Sequence, residues 1–597
     1  MLSIIISVVV GGLLGSAIDS GYSGRLSTYI SGPESEAIAL FSPEMVAKGK
    51  GGWRGEHAGK WLYAASKAYE RTGDPEMRER LVSVADYLLS RQEENGYLGC
   101  YREDKRYYHR PSPNTMKVDW DSWIMAYLIK GLSETSVATG NPKYADAALR
   151  IAHFIHWTVF EQGIKVSQTG MHCGMAGCGM LDPLCDLYRL RPNPELKQLI
   201  DRCIFEMDDE PNLQLITLLG KDYDVSLIGN GKIYEMNRCL TGLAKAYQLF
   251  GGENLLLACT NAWNCIQSMH LTTLGGPWGG INICLEIFNR PAEWAPYEVT
   301  ETCSVMEWMH FTREMLKITG DGKYASELEK SAYNALMAAR AADGNRWIYY
   351  VRTNGEFGPG YDWSCCWSSG MTALEDIPVY MYDSGKNGVK VNIISESSAV
   401  LSVAGGEVAL KETLPYAFTG KAEYEFSSAE SAFPKKPFSF SVHAPEWALG
   451  IYSVKVNGQS VKASVKDGYI TVKRRWTEGD KLSIEFPYEI RCYTKTWEFR
   501  NGGAREHNFS NWYNGFKESF VSFAAGPLVF ATDHLDRFAE RSPLDLSSDE
   551  LAGVKIIKDS PLAPVVIGAG QTTLRPICLM PAYEGPQSRF IWFRIDE

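Results

Sequence analysis

At 597 residues the chain is too long for one ordinary core, so two or three domains are expected. Hydrophobic residues at 45% and charged residues at 22% make a globular composition. A formal charge of -11 with no Lys/Arg cluster excludes a nucleic-acid backbone as partner.

The run Leu2–Leu14 is apolar and is followed by Gly15-Ser16-Ala17. No Lys or Arg precedes it, and it is too short to span a bilayer. It reads as a buried opening segment, with a weak export signal as the other reading; a cytoplasmic or periplasmic protein with no membrane partner is expected. Helical spacing of apolar residues then recurs in Lys60–Tyr69, Met77–Leu89, Trp123–Val137, Ala145–Val159, Leu240–Leu249, Leu255–Met269, Val305–Ile318 and Leu328–Ala339. One punctuation mark separates paired helices: Thr72-Gly73-Asp74-Pro75, Thr139-Gly140-Asn141-Pro142, Arg191-Pro192-Asn193-Pro194 and Thr319-Gly320-Asp321-Gly322. Where it holds a Gly, that Gly can end one helix, and Asp or Asn can cap the next. Five or six such hairpins predict an (α/α)6 barrel over residues 1–384, with an open solenoid as the alternative. The long inserts Gln92–Val118 and Leu274–Thr300 would gather at one barrel end, where loops build a site.

After Gly385 the pattern changes to short β-branched and aromatic runs, among them Val389–Ile394, Ala399–Val403, Phe438–His443, Tyr469–Val472 and Leu482–Phe486. Turns such as Asn457-Gly458 and Asp467-Gly468 separate them, so residues 385–597 predict a β-sandwich region, two small sandwiches being one arrangement. The fold class is thus multidomain α+β. Exposed strands there would suit a homodimer.

The 14 cysteines show no short-range framework and read as reduced, buried thiols. Two segments stand apart: Glu301-Thr302-Cys303, and Cys365-Cys366 within Tyr361-Asp362-Trp363-Ser364-Cys365-Cys366-Trp367. One carboxylate and three thiols can fill a tetrahedral zinc site. Adjacent cysteines suit a sharp loop more than a strand. The competing readings are four unrelated buried residues or a strained vicinal disulfide. His172, Cys173 and Cys178 lack a fourth ligand for a second metal.

Glu-Thr-Cys before a helix, a Cys-Cys pair, and a following β-sandwich together resemble glycoside hydrolase family 127, the β-L-arabinofuranosidase family. Trp53-Arg54-Gly55-Glu56-His57-Ala58-Gly59-Lys60-Trp61 resembles its opening helix signature, Asn95-Gly96-Tyr97-Leu98-Gly99 its following loop, and Ala525-Gly526-Pro527-Leu528-Val529 its C-terminal strand. The resemblance implies a zinc-dependent retaining exo-glycosidase acting on a furanoside or plant glycan. It implies Glu301, Cys303, Cys365 and Cys366 as zinc ligands, Cys365 also as nucleophile, and Glu286 as acid/base. Apolar neighbours in Cys284-Leu285-Glu286-Ile287-Phe288 are expected to raise the Glu286 pKa; the rivals Glu293 and Glu298 read as solvated loop charges.

The family's pocket histidines have no match in Asp119–Leu132, Gly179–Leu190 or Tyr234–Leu243, and Trp367-Ser368-Ser369-Gly370 replaces its usual Pro-Pro-Asn. A different sugar within the same chemistry is expected. Candidate sugar contacts are His57, Trp120, Asp121, Asn237 and Trp363. A metal-free glycosidase or polysaccharide lyase on the same barrel, or a non-catalytic glycan binder, are the alternatives.

Overall fold

The computed structural model describes residues 5–109, 120–279, 286–291, 293–356, 364–498, 517–533, 545–557, 565–567, 572–583 and 588–595. Its helical part is built from α1 (Gly12–Gly21), α2 (Glu56–Thr72), α3 (Pro75–Arg91), α4 (Asp121–Thr139), α5 (Pro142–Phe160), α6 (Leu181–Leu190), α7 (Pro194–Asp209), α8 (Ile233–Phe250), α9 (Glu253–Met269), α10 (Thr302–Thr319), α11 (Gly322–Lys330) and α12 (Cys365–Met381). The even-numbered helices form a ring, each touching the next and α12 returning to α2. The odd-numbered helices lie outside, α3 on α2 and so on, with α1 on α12. This is a closed (α/α)6 barrel, not an open solenoid.

Burial separates the two rings. Outer α3 buries only Met77, Leu81, Val84, Ala85 and Leu88, one stripe at helical spacing. Inner α10 buries every residue from Thr302 to Leu316, as a helix surrounded by others must. The punctuation marks act as read. Gly73, Gly140 and Gly320 end α2, α4 and α10 at φ of 65°, 67° and 67°. Asp74, Asn141 and Asp321 then accept hydrogen bonds from the amides of Glu76, Lys143 and Lys323 at 2.9, 3.2 and 3.0 Å.

The strand-rich part of the chain begins at Tyr382. A seven-stranded sheet runs, in order, Ile5–Val10, Ser397–Val403, Gly406–Glu412, Lys421–Ser428, Lys481–Glu485, Ser453–Val456 and Gln459–Ser460. A five-stranded sheet runs Ser464–Lys466, Tyr469–Arg474, Phe438–His443, Gly388–Val391 and Tyr382–Gly385. Phe426 of the first sheet meets Phe440 of the second, and Trp476 stacks on Phe426 with centroids 4.3 Å apart. The apolar opening run is therefore split: Ile5–Val10 joins the seven-stranded sheet, and Gly12, Leu13 and Leu14 open α1 of the helical unit. Ile5–Val10 is an antiparallel edge strand on Ser397–Val403, with Val8 and Val10 buried and Val9 facing out. Its alternating apolar residues fit a sheet edge, so the unit read as 1–384 lends its first strand to the region read as 385–597.

A third sheet centres on Lys517–Ala525, flanked by Arg491–Glu498 and Leu528–Ala531. It is stitched to the helical barrel. Asn334 gives Nδ2–H to the Pro527 carbonyl and takes the Val529 amide, both at 2.9 Å. Asn354 Oδ1 accepts the amides of Ile591 and Trp592 at 2.9 Å. Among the described residues no helix is long and apolar enough to cross a membrane.

Candidate active site

Two inner-helix N-termini converge on one point. Glu301 ends the strand Val299–Glu301 and is the N-cap of α10, with Cys303 in the first turn. That strand pairs antiparallel with Tyr350–Arg352, Glu301 opposite Tyr350. Cys365 and Cys366 are the first two residues of α12, and the Ser364 hydroxyl accepts the Cys366 amide at 3.3 Å. The adjacent cysteines thus open a helix, where a sharp loop had been expected. The first-turn geometry lets neighbouring side chains face one side, and both dipole ends favour anionic ligands.

One ligand atom from each of Glu301, Cys303, Cys365 and Cys366 lies within 4.8 Å of all the others. Cys303 Sγ is 3.4 Å from Cys365 Sγ and 3.5 Å from Cys366 Sγ. A tetrahedral site with Zn–S bonds of about 2.3 Å sets sulfurs about 3.8 Å apart. The donor set and spacing therefore fit a zinc ion. The described cysteines are free, Cys365 and Cys366 included, which removes the vicinal disulfide. Glu301, Cys303 and Cys366 are buried; Cys365 alone of the four keeps partial exposure.

Buried cations flank the quartet on two sides. Lys60 Nζ donates to Glu56 Oε1 at 2.9 Å and to Ser369 Oγ at 3.0 Å, and that hydroxyl lies 3.2 Å from Cys303 Sγ. Lys232 Nζ sits 3.4 Å from Glu301 Oε2, 3.0 Å from Glu286 Oε2 and 3.1 Å from Glu235 Oε2. Hydrogen bonds from the Cys303 and Cys366 thiols, with Lys60 and Tyr349 behind them, pull the Cys365 thiol well below its ordinary range. Burial pushes Cys303, Cys366 and Glu301 upward. These directions make Cys365, the partly exposed member, the most acidic of the three thiols.

Glu286 enters beside this cluster. Its carbonyl accepts the Ile233 amide at 3.0 Å, and Ile287 bridges Lys232, so the start of α8 holds it in place. The Tyr350 hydroxyl donates to Glu286 Oε1 at 2.6 Å. Burial alone would raise this carboxyl, as its apolar neighbours suggested. Lys232 and Tyr350 outweigh burial and hold it below the ordinary range. Glu298 is not a solvated loop charge: it is fully buried, 3.8 Å from Lys495, and burial raises it.

The other expected sugar contacts divide. His57 is fully buried, with Nδ1 2.6 Å from Ser368 Oγ, behind the start of α12. Asp121 is sealed: its carboxylate accepts the Tyr97 hydroxyl at 2.8 Å and the Tyr107 amide at 3.4 Å, so it braces the Tyr97–Tyr107 segment rather than reaching a ligand. Trp120 is half-buried between Trp123 and His172. Asn237 is buried on α8, and its amide has no hydrogen-bond partner among the described residues. Trp363 and Cys284 lie outside the described residues. Sequence reasoning missed Lys60, Lys232, Tyr349 and Ser369. Lys60 was readable as the partner of Glu56 one turn earlier, Lys232 as the partner of Glu235 three residues on, and Ser369 as one turn past Cys365; the contacts of Lys232 with Glu286 and Glu301 carry no such local signal.

A non-reducing end beta-L-arabinofuranosidase of Bifidobacterium longum subsp. longum is 21% identical over 538 residues, spanning 83% of this chain and 76% of its own length. The solved GH127 beta-L-arabinofuranosidase from Geobacillus stearothermophilus T6 superposes with a TM-score of 0.76 at 19% identity, covering 99% of this chain and all of that one. A second solved GH127 beta-arabinofuranosidase gives 0.74 at 18% identity, covering 100% of this chain and 98% of that one. These two likenesses concern the fold. The family model for the beta-L-arabinofuranosidase GH127 catalytic domain matches residues 28–378, and that for the GH127 middle domain matches 388–488. With most of the chain so matched, this protein belongs to glycoside hydrolase family 127 and is a glycoside hydrolase.

Proposed function

We propose that the protein is a zinc-dependent, retaining exo-glycosidase that releases β-L-arabinofuranose or a related furanose, with Cys365 as nucleophile and Glu286 as acid/base. The observation that carries this is the asymmetry of the quartet: three buried members suit holding a metal, while the fourth, Cys365, keeps partial exposure and accepts hydrogen bonds from its neighbours that favour its ionised form. The Bifidobacterium relative, described as acting at the non-reducing end, supports the exo mode and the sugar class.

Glu301, Cys303, Cys365 and Cys366 would hold the zinc, which when bound keeps the thiols deprotonated and aimed. The Cys365 thiolate attacks the anomeric carbon, and the bond to the leaving oxygen breaks as Glu286, which must first take up a proton because Lys232 and Tyr350 hold it ionised in the free enzyme, delivers that proton to the oxygen. The carbon–sulfur bond of the resulting glycosyl enzyme is then broken by water, whose proton returns to the Glu286 carboxylate. Two displacements give net retention. Lys232 and Tyr350 fix both oxygens of Glu286, so the carboxyl presents one defined edge. Tyr349, 3.7 Å from Cys365 Sγ, limits the directions open to the sulfur.

The test measures sugar release from an aryl β-L-arabinofuranoside and from plant cell-wall oligosaccharides, alongside zinc content. Cys365→Ala is expected to remove release, and Cys366→Ser to remove the metal from a wild type holding one zinc per chain. Release that persists in Cys365→Ala would refute the thiolate mechanism.

A further inference from the structure

We propose that His172 and Glu235 form a clamp that reads one ring hydroxyl of the substrate. This rests on the reading of the site as a furanosidase and deepens it.

His172 stands on an unusual turn. His172, Cys173 and Gly174 follow one another in the left-handed region, at φ of 58°, 55° and 84°. Two side-chain-bearing residues in succession there are costly and persist only where the surroundings impose them. The surroundings do so. The Met175 amide bonds the His172 carbonyl at 3.1 Å, and the Ala176 amide the Met171 carbonyl at 3.2 Å. A Cβ on Gly174 would come within 2.7 Å of Ser167 Cβ and 2.8 Å of its carbonyl. Ser167 is tied in turn to Glu206 of α7 by a 2.8 Å hydrogen bond. The turn does not serve a metal, because His172 shares no ligand cluster with Cys173 or Cys178 among the described residues.

What the turn fixes is the direction of a proton. The Lys232 amide donates to Asn230 Oδ1 at 3.4 Å, which orients that side-chain amide. Asn230 Nδ2 then donates to His172 Nδ1 at 2.9 Å. Nδ1 is therefore the acceptor of the neutral ring, and Nε2 bears the hydrogen. Burial, which keeps the imidazole below its ordinary pKa, agrees with the neutral form.

Nε2 lies 3.7 Å from Glu235 Oε1, too far for a hydrogen bond. The other oxygen of Glu235 is held by Lys232 at 3.1 Å. A fixed donor and a fixed acceptor thus face each other across a gap. A hydroxyl is the group that can accept from one and donate to the other. The imidazole stays within reach, its side chain 17% exposed where that of Glu235 is 2%. Lys232 joins the clamp to Glu286 and Glu301, and Trp120, 6.3 Å from the imidazole centroid, gives the apolar wall that a ring needs.

The experiment uses the full zinc-loaded chain, an aryl β-L-arabinofuranoside and the set of its mono-deoxy analogues. In the wild type, one deoxy position is expected to cost about 10–100-fold in kcat/KM, because the clamp is then left unpaired. His172→Ala should lose a similar factor on the parent sugar, lose nothing further at that one position, and keep the wild-type penalties at the others. His172→Gln, which restores an N–H donor, should recover part of the rate, with zinc content unchanged in both variants. Equal deoxy penalties in wild type and His172→Ala would overturn the proposal, and so would an unchanged kcat/KM. Cys365→Ala assayed in parallel separates the two readings: release persisting there removes the nucleophile but leaves the deoxy comparison valid.

Discussion

Lys232 is a single ammonium facing three buried carboxylates, those of Glu235, Glu286 and Glu301. Burial works against its charge, and the three acids together hold its pKa well above the ordinary lysine value. Lys232→Met leaves those acids unneutralised in a dry site, and removing one side of such a pair costs about 3–5 kcal/mol. Urea unfolding should show that loss; a stability equal to wild type would mean the acids find other partners. Metal removal is the second expectation at this scale. Cys303 Sγ lies 3.4 and 3.5 Å from the sulfurs of Cys365 and Cys366, so thiolates this close need a cation between them, and without it the cluster must stay largely protonated. A chelator should lower Tm as well as sugar release, and added zinc should restore both. The quartet was legible because Glu-Thr-Cys and Cys-Cys are conspicuous in sequence. The full role of Lys232 was not, since only Glu235 is local, three residues on, while Glu286 and Glu301 lie 54 and 69 positions away. Glu298 misled for the same reason: its burial depends on Lys495, nearly two hundred positions away (about 200).

Among elements, the paired helices were legible from apolar spacing and from Gly-Asp and Asn-Pro marks, because both signals act within one or two turns. The start of α12 was not, since a run of Ser-Cys-Cys-Trp-Ser-Ser carries no strong helical period and only the Ser364 cap announces it. The strand Ile5–Val10 was missed because its partner is remote. Deleting residues 1–10 removes the buried Val8 and Val10, at roughly 1.5–3 kcal/mol each, and bares the edge of Ser397–Val403. Lower urea midpoints and new aggregation are expected; an unchanged midpoint would show the strand to be dispensable. Glu412 closes another strand, Gly406–Glu412, by accepting the amides of Leu414 and Glu423 at 3.0 and 3.1 Å. Burial raises its pKa from 4.5 to about 8. The unfolded chain therefore ionises first, and the stability this carboxyl contributes is full below about pH 4.5 and is lost as pH rises through 8. Glu412→Gln keeps the acceptor and should flatten the denaturation profile across that window; identical profiles would contradict the assignment.

At the scale of the whole molecule, the third sheet reaches into the active-site scaffold. Asn354 follows the strand that pairs with Glu301, and its side chain holds Ile591 and Trp592. Asn354→Ala takes this partner from the buried amide and carbonyl of Trp592, while the Ile591 amide keeps the Thr353 carbonyl at 3.0 Å, a cost of about 2–5 kcal/mol. Zinc affinity should fall with stability, because the loosened strand pairs with the one that carries Glu301, the carboxylate of the proposed zinc site; metal titration of the variant checks this. Such coupling between distant segments is invisible in local patterns, whereas the barrel-then-sandwich order was plain from the change in periodicity near Gly385. The strand Ile5–Val10 has one more consequence, in time. Val8 pairs with Ala399, a separation of about 390 residues. At about 5–20 residues per second, synthesis keeps the first strand waiting roughly 20–80 s for its template. During that interval the ribosome displays an unpaired apolar ribbon while six inner helices emerge. The edge strand Ile5–Val10 can therefore dock only after all six inner helices have been made, because Ser397–Val403 follows every one of them in the chain.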